Sequence, residues 1–488
     1  MLCVTESRIA SGYRLAQVRR RRGAPARFAP RHAGTAPAQG HLYKATDHGH
    51  SKVLPPEAFA PTQRGGGWGP FIDSFLRMNE QALAKLDISH TVRPAETGIQ
   101  LLLCPGGRAG AVPLRSAQTG HVAGGFLVEP RFGWAGVGRV LISTGWAGAP
   151  EILDFPLVPG SGREVPPWVL AGPVLQRLDE LLRSLRRGYR TEEQVLRRPR
   201  GHIVWSRYIS EALARGRWDH LPCRFPDLAT DPLLRRMVRW ALHRVREDLA
   251  VVGGSDLVAR LLVAHADKLI DLVRDVRPLA PSRSQLNSLV SGDRITEISL
   301  RRGLEALGWI VDERGLGGGR EMDGLAWAAP LDSLWERYVE ASVRKEASLQ
   351  GGIVRVGRSR ETLVPLDWSD PSHRSMGHLL PDIVVTYRDR IDIVDAKYKS
   401  HLAELDEQGW RAFTDDAREA HRADVHQILA YASLFEAPEV RAVLVYPLRE
   451  QTWRILRDRG RDVSVAELFA GRRRVRLEMR GLPFGAAA

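Results

Sequence analysis

Cysteine is scarce in this chain: three among 488 residues, Cys3, Cys104 and Cys223, far apart and with no CxxC pair. That excludes a zinc ribbon or a disulfide framework and fits a reducing cytoplasm, where the protein is expected to reside. No apolar run approaches the ~20 residues of a membrane span. The N-terminus also lacks a compact apolar segment followed by a small-residue cleavage site, so neither insertion nor secretion is expected. A phosphate-binding loop is missing too. The one dense glycine cluster, Gly315-Leu316-Gly317-Gly318-Gly319-Arg320, lacks the Gly-Lys-Ser/Thr ending whose lysine and hydroxyl hold phosphates and Mg²⁺. It reads as a flexible turn, and any nucleotide-driven motor must be a separate polypeptide. Acidic residues are outnumbered, 57 against 71 lysines and arginines, for a net charge of +14 and a pI near 10.1. Such a balance points to a polyanionic partner or to solvated arginines alone.

What is present divides into zones. The length suggests roughly three domains at the usual ~150 residues each, and a 43% hydrophobic content is that of a globular protein. Residues 1–60 read as a basic, disordered tail. Arg19-Arg20-Arg21-Arg22 leads a stretch rich in Ala, Pro, Gly and His, and Met1 to His50 holds nine basic residues against two acids. A nucleic-acid-binding arm, a misplaced start codon and a targeting presequence all fit it. Residues 61–172 alternate short apolar runs with Gly- and Pro-rich turns, which predicts a β-rich domain. Trp68, Phe132, Trp134 and Trp146 there can form a base-stacking platform, anchor a partner or fill a small core. Residues 173–324 take a helical period, with a helix from Val174, a strand-like His202 to Trp205, a helix capped by Asp231 and another over Asp256 to Val276. Arg235, Arg236, Arg239, Arg244 and Arg246 on the Asp231 helix make either a DNA-contacting face or a solvated one.

The chemistry lies in Leu379 to Lys399, LLPDIVVTYRDRIDIVDAKYK, within a last zone, 325–488. Two β-branched runs flank a polar turn, which predicts a hairpin. Side chains alternate along a strand, so Asp395 and Lys397 face one way while Ala396 faces the core. The hairpin returns Asp382 towards Asp395. Two hard carboxylates suit Mg²⁺ or Mn²⁺, and a lysine beside them can orient a water or steady phosphate charge. Downstream, VHQILAYASLF sets Gln427 and Tyr431 one turn apart on one helix face. Upstream, Leu331, Leu334, Tyr338 and Val339 have helical spacing, which carries Glu336 on the opening helix. Strands are expected at Gly352 to Val356, Thr362 to Leu366 and Arg441 to Tyr446. His373, His378, His401, His421 and His426 flank the site in spacings that match no familiar metal centre.

Pro381-Asp382, then Asp395 thirteen residues on, then Ala396-Lys397, resembles the PD-(D/E)xK nuclease motif. Gln427 and Tyr431 resemble the Gln-x-x-x-Tyr element of RecB-like members. With the preceding β-rich and helical zones, the whole looks like the McrC family, the nuclease subunits of McrBC-type modification-dependent restriction systems. The resemblance is specific over 330–450, looser over 65–325 and absent before residue 60. It implies a multidomain α/β protein ending in a restriction-endonuclease-like core. It also implies antiviral restriction of double-stranded DNA with a separate McrB-type AAA+ GTPase as partner. Carried over residue by residue, it puts catalysis on Asp382, Asp395 and Lys397, with Gln427 and Tyr431 lining the strand. Mg²⁺ would be held by Asp382, Asp395, the Ala396 carbonyl and Glu336. A RecB-like repair nuclease without a GTPase and an inactive nuclease-fold nucleic-acid binder are the alternatives.

Overall fold

The computed structural model describes residues 41–485 apart from 60–68, 96–97, 147, 186–187, 230–231, 255, 292–297, 313–322, 371, 373–374, 410–413 and 471–472. The Arg19–Arg22 run, Trp68, Asp231, the Gly315–Arg320 cluster and His373 lie outside the described residues. The chain is a mixed α/β protein with several sheets.

The first zone starts earlier than expected. His41–Thr46, assigned above to the tail, is strand β1, followed by β2 (Lys52–Leu54) and a short helix α1 (Pro56–Phe59). Helix α2 (Gly69–Lys85) leads to β3 (Ile88–Ala95) and β4 (Gly98–Pro105), which form a small sheet with β2. Then come β5 (Arg108–Arg115), β6 (Val122–Glu129), helix α3 (Trp134–Ser143), the short β7 (Glu151–Ile152) and α4 (Pro167–Ser184). β1 runs parallel to β6, with His41 opposite Gly124 and Leu42 opposite Gly125. A Cβ on Gly125 would fall 2.6 Å from Val158 and 2.9 Å from the Pro159 carbonyl, so only glycine lets the strands and loop close here. Where the β5–β6 register shifts at Leu114/Arg115, buried Asn79 of α2 seals the irregularity. Its amide donates to the Phe75 and Arg115 carbonyls, and its oxygen accepts from the Arg115 N–H at 2.8 Å.

The middle zone is helical with a sheet inserted. β8 (Gly188–Leu196), β9 (His202–Ile203) and β10 (Leu221–Ala229) form three antiparallel strands, where a single strand near His202 was expected. Between them lies a broken helical stretch that opens with α5 (Trp205–Arg207). Helices α6 (Pro232–Val252), α7 (Leu257–Asp271), α8 (Arg283–Ser291) and α9 (Ile298–Val311) follow. Asp256 caps α7 by accepting from the Val258 and Ala259 N–H groups. The arginines of α6, partly exposed, are engaged in contacts within the chain. Arg235 makes a two-pronged pair with Asp275, Arg236 donates to the Arg277 carbonyl, and Arg239 donates to those of Arg274 and Val276. Arg246 pairs with Asp267 and Arg244 with Asp248. Several of these staple the irregular segment after α7, whose carbonyls have no strand or helix to bond within.

The last zone begins with β11 (Trp327–Pro330), which does not stay with it. β11 inserts into the first sheet, antiparallel to both β5 and β7, giving the order β1-β6-β5-β11-β7. Helix α10 (Leu331–Leu349) buries Leu331, Leu334, Trp335, Tyr338 and Val339 along one face. β12 (Ile353–Val356) follows; the strand expected at Thr362 to Leu366 is only β13 (Val364–Pro365), paired off the main sheet with β14 (His378–Leu379). β15 (Ile383–Thr386) and β16 (Arg390–Ala396) form the hairpin. Helices α11 (His401–Gln408) and α12 (Asp415–Ser433), β17 (Glu439–Leu448), helix α13 (Glu450–Asp458), β18 (Val463–Ala470) and β19 (Arg473–Pro483) complete it. Their sheet has the order β12-β15-β16-β17-β19-β18, with β17 parallel to both β16 and β19. Parallel central strands are covered on both faces. Ile393, Val440, Ala442, Leu444 and Tyr446 pack with Ile428 and Tyr431 of α12. Val394, Ala396, Val443 and Val445 join a core that runs back through α10 to the first sheet.

Candidate active site

The site is at the end of β16, where the sheet, α10 and α12 meet. Asp382 stands just before β15, opposite the last residues of β16, and its Oδ2 accepts the Ala396 N–H at 3.0 Å. Asp395 is 1% exposed. Lys397 follows on the same face: its Nζ lies 2.6 Å from Asp395 Oδ2 and donates to Gln427 Oε1 at 2.8 Å. The Lys397 backbone N–H continues the ladder to the Val445 carbonyl at 2.9 Å, which fixes where its side chain starts. α12 begins at Thr414, whose hydroxyl caps the Ala417 N–H, and carries Asp415 and Asp416 in its first turn, where negative charge suits the helix dipole. Gln427 donates in turn to the Tyr431 hydroxyl at 3.0 Å. Tyr431 is buried and backs Gln427 through its hydroxyl. Glu336 of α10 completes the group and feels the charges of Asp395 and Lys397.

Electrostatics set the character of the cluster. Burial, then the charge of Asp395, push the Asp382 carboxyl up to about 8. Burial, with Asp332 and Asp395 beside it, also raises Glu336. Burial opposes the charge of Lys397, yet Asp395 and Asp424 outweigh it and raise the ammonium. Asp395 Oδ2, despite its short approach to Lys397, has no hydrogen bond of good geometry. Crowded carboxylates and a poorly satisfied buried oxygen are what a cation relieves. Among the described residues no three His, Cys, Asp or Glu side chains converge closely enough to hold a metal by themselves. Mg²⁺ ordinarily takes one or two carboxylates and keeps several waters, so Asp382 and Asp395 fit it better than Zn²⁺.

A stability consequence follows. A carboxyl raised on folding favours the folded state fully below its ordinary value near 4 and loses that contribution as pH rises through its folded value of about 8. In EDTA, Asp382→Asn is therefore expected to unfold at higher temperature than the wild type, the gap opening between those two pH values. A difference of roughly 2–5 °C is expected at the plateau. Equal melting temperatures at pH 9 would contradict it.

Among the described residues the histidines assemble nothing comparable. His421 approaches the Tyr446 hydroxyl at 3.4 Å and is lowered by burial, while His378 and His426 are exposed. Three features escaped the sequence reading. Asp424, on α12, is 4% exposed and accepts from Lys399 Nζ with both oxygens at 2.8 Å, and it lies 3.7 Å from Lys397. Trp335 of α10 donates to the Val445 carbonyl. Arg131, in the turn after β6, donates to the Tyr398 carbonyl at 2.7 Å and to the Ser400 hydroxyl, with its guanidinium over the Tyr398 ring. Buried Asp47 accepts the Arg131 N–H and faces its Nε at 3.4 Å. The first zone thus grips the residue next to Lys397. Phe132 stacks on Phe484, Trp134 meets Trp168 and Trp327, and Trp146 packs against Gly172. Phe132, Trp134 and Trp146 are half-buried and pack against the core.

A family model described as "McrBC 5-methylcytosine restriction system component" matches residues 168–447, from α4 through the site to β17. The chain belongs to the McrBC family. No curated protein matches it. Two solved structures from Thermococcus gammatolerans are similar to this McrBC component. One is a refined half-complex of McrB AAA+ hexamers with bound McrC, at 15% identity over 92% of this chain and 96% of that one, with a TM-score of 0.39. The other is the McrBC complex, at 16% identity over 62% of this chain and 87% of that one, with a TM-score of 0.26. The assignment rests on the family match. Among the described residues no helix is long and apolar enough to cross a membrane.

Proposed function

We propose that this McrBC component is the DNA-cutting subunit of its restriction system. It would be a Mg²⁺- or Mn²⁺-dependent endonuclease of the PD-(D/E)xK type, acting on double-stranded DNA under the control of a separate AAA+ GTPase. The observation that carries the reading is the joining of Asp382, Asp395 and Lys397 at one end of β16, within the region the family covers. Asp382 and Asp395 would hold the metal, with the Ala396 carbonyl as a further oxygen donor and Glu336 adding negative charge nearby. When bound, the ion acidifies water and offsets the charge that builds on the phosphate. Lys397, kept protonated by its acidic neighbours, orients the attacking water and supports the phosphate. Gln427 holds that ammonium in place, and Tyr431 holds Gln427. The sequence has no Gly-Lys-Ser/Thr loop, so coupling to nucleotide hydrolysis falls to the partner.

The test is cleavage of long 5-methylcytosine-bearing DNA by the full chain. Cutting is expected only with the purified GTPase, GTP and Mg²⁺ together, and is expected to stop in EDTA. Robust metal-dependent cutting by the chain alone, indifferent to GTP, would favour a repair nuclease instead.

A further inference from the structure

We infer that Asp424 is a positioning residue, the second anchor that receives the Lys397 ammonium when Asp395 turns its carboxylate to a metal. The inference rests on the nuclease reading and concerns a residue that reading does not use. An ammonium has three donors, and Lys397 has three acceptors around it: Asp395 at 2.6 Å, Gln427 at 2.8 Å and Asp424 at 3.7 Å. Gln427 takes a hydrogen bond, Asp395 makes a close ion pair without hydrogen-bond geometry, and Asp424 stands just out of reach. A divalent cation at Asp395 and the Lys397 ammonium draw on the same buried carboxylate, so each weakens the other's hold on it. A lysine left on that carboxylate competes with the ion.

Asp424 is built to take it over. Its carboxylate is buried and lies on the α12 face that carries Gln427 and Tyr431, one turn nearer the helix start. Lys399, two residues beyond Lys397 on the same side of the chain, fixes both of its oxygens. The carboxylate therefore stays aimed while the Lys397 side chain shifts by about one ångström, a rotamer-scale adjustment. Lys399 also keeps a positive charge beside Asp424, so the site does not gain an unpaired buried carboxylate when Lys397 is absent.

This predicts coupling between Asp424, Lys397 and metal affinity. Binding of Mn²⁺ alone to the full-length protein is to be measured by calorimetry for wild type, Asp424→Asn, Lys397→Met and the double variant. Asp424→Asn is expected to weaken Mn²⁺ about five- to tenfold in the wild-type background, since the lysine stays on Asp395. In the Lys397→Met background it is expected to change affinity less than about twofold. Asp424→Glu is expected to restore most of the loss. Equal weakening in both backgrounds would show a structural role and overturn the inference, as would no weakening in either. Absence of Mn²⁺ binding in every protein, wild type included, would instead overturn the nuclease reading itself.

Discussion

Asp395→Ala is expected to lower DNA cleavage by at least about a thousandfold while leaving the protein folded, since groups that act on the reacting charge carry penalties of that size. On the proposed reading Asp395 contributes chemistry and little packing. It sits between Val394 and Ala396, whose side chains fill the core behind it, while its own carboxylate meets Lys397 and the carboxyl of Asp382. On that reading, removing it would withdraw one of two close carboxylates from the metal and free Lys397 from its partner. It also relieves the repulsion that, after burial, raises Asp382, so melting in EDTA at neutral pH is expected to be unchanged or higher. A variant with more than about a tenth of wild-type cleavage would remove Asp395 from the mechanism, since tenfold is below what a reacting-charge group contributes.

The second large effect concerns where the chain can be cut. A fragment of residues 325–488, the last zone read from the sequence, is predicted to misfold or aggregate. β11 is the second strand from one edge of the first sheet, between β5 and β7, and leaves that sheet when the fragment is excised. Trp327 and Trp335 are 1% and 0% exposed, and Trp134 and Phe132 from the first zone cover Trp327 and Phe484. Arg139 pairs with Glu450 across the same boundary, and Arg449 donates to the Arg131 carbonyl. Uncovering a few large apolar side chains at ~1.5–3 kcal/mol each removes a large share of a domain's ~5–15 kcal/mol. Loss of the Arg131 grip on Tyr398 and Ser400 would further loosen the turn that aims Lys397. A fragment that stays monomeric and unfolds cooperatively within a few degrees of the full chain would show that the boundary is real.

Local patterns carried the hairpin and the helix that face each other. Alternation in IDIVDAK places Asp395 and Lys397 on one side without any tertiary knowledge, and a four-residue spacing aligns Gln427 with Tyr431. Asp424 was within reach of the same logic. It lies three residues before Gln427 on the same face, and an acid buried among Val425, Ile428 and Ala432 needs a cationic partner. β11 was not legible. Four residues, WAAP, look like the lead-in to a helix, and their partners lie in β5 and β7, far back in the chain. Nor was β1, because HLYKAT follows a composition typical of unfolded chain and gains its strand identity only from parallel pairing with β6. The contacts of the α6 arginines were hidden for a related reason. Their acceptors are mostly carbonyls of 272–277, a stretch with no pattern of its own. In each case the deciding contact spans a long loop, and a periodicity read over a dozen residues does not see it.

The central claim, that Asp382 and Asp395 form the metal-holding edge of a nuclease site, is tested most directly by titrating Mn²⁺ into the full-length wild type and into Asp395→Ala by calorimetry. The account predicts saturable binding by the wild type and none by the variant, with the circular dichroism of the two superimposable. Saturable binding of the same strength in both would contradict it.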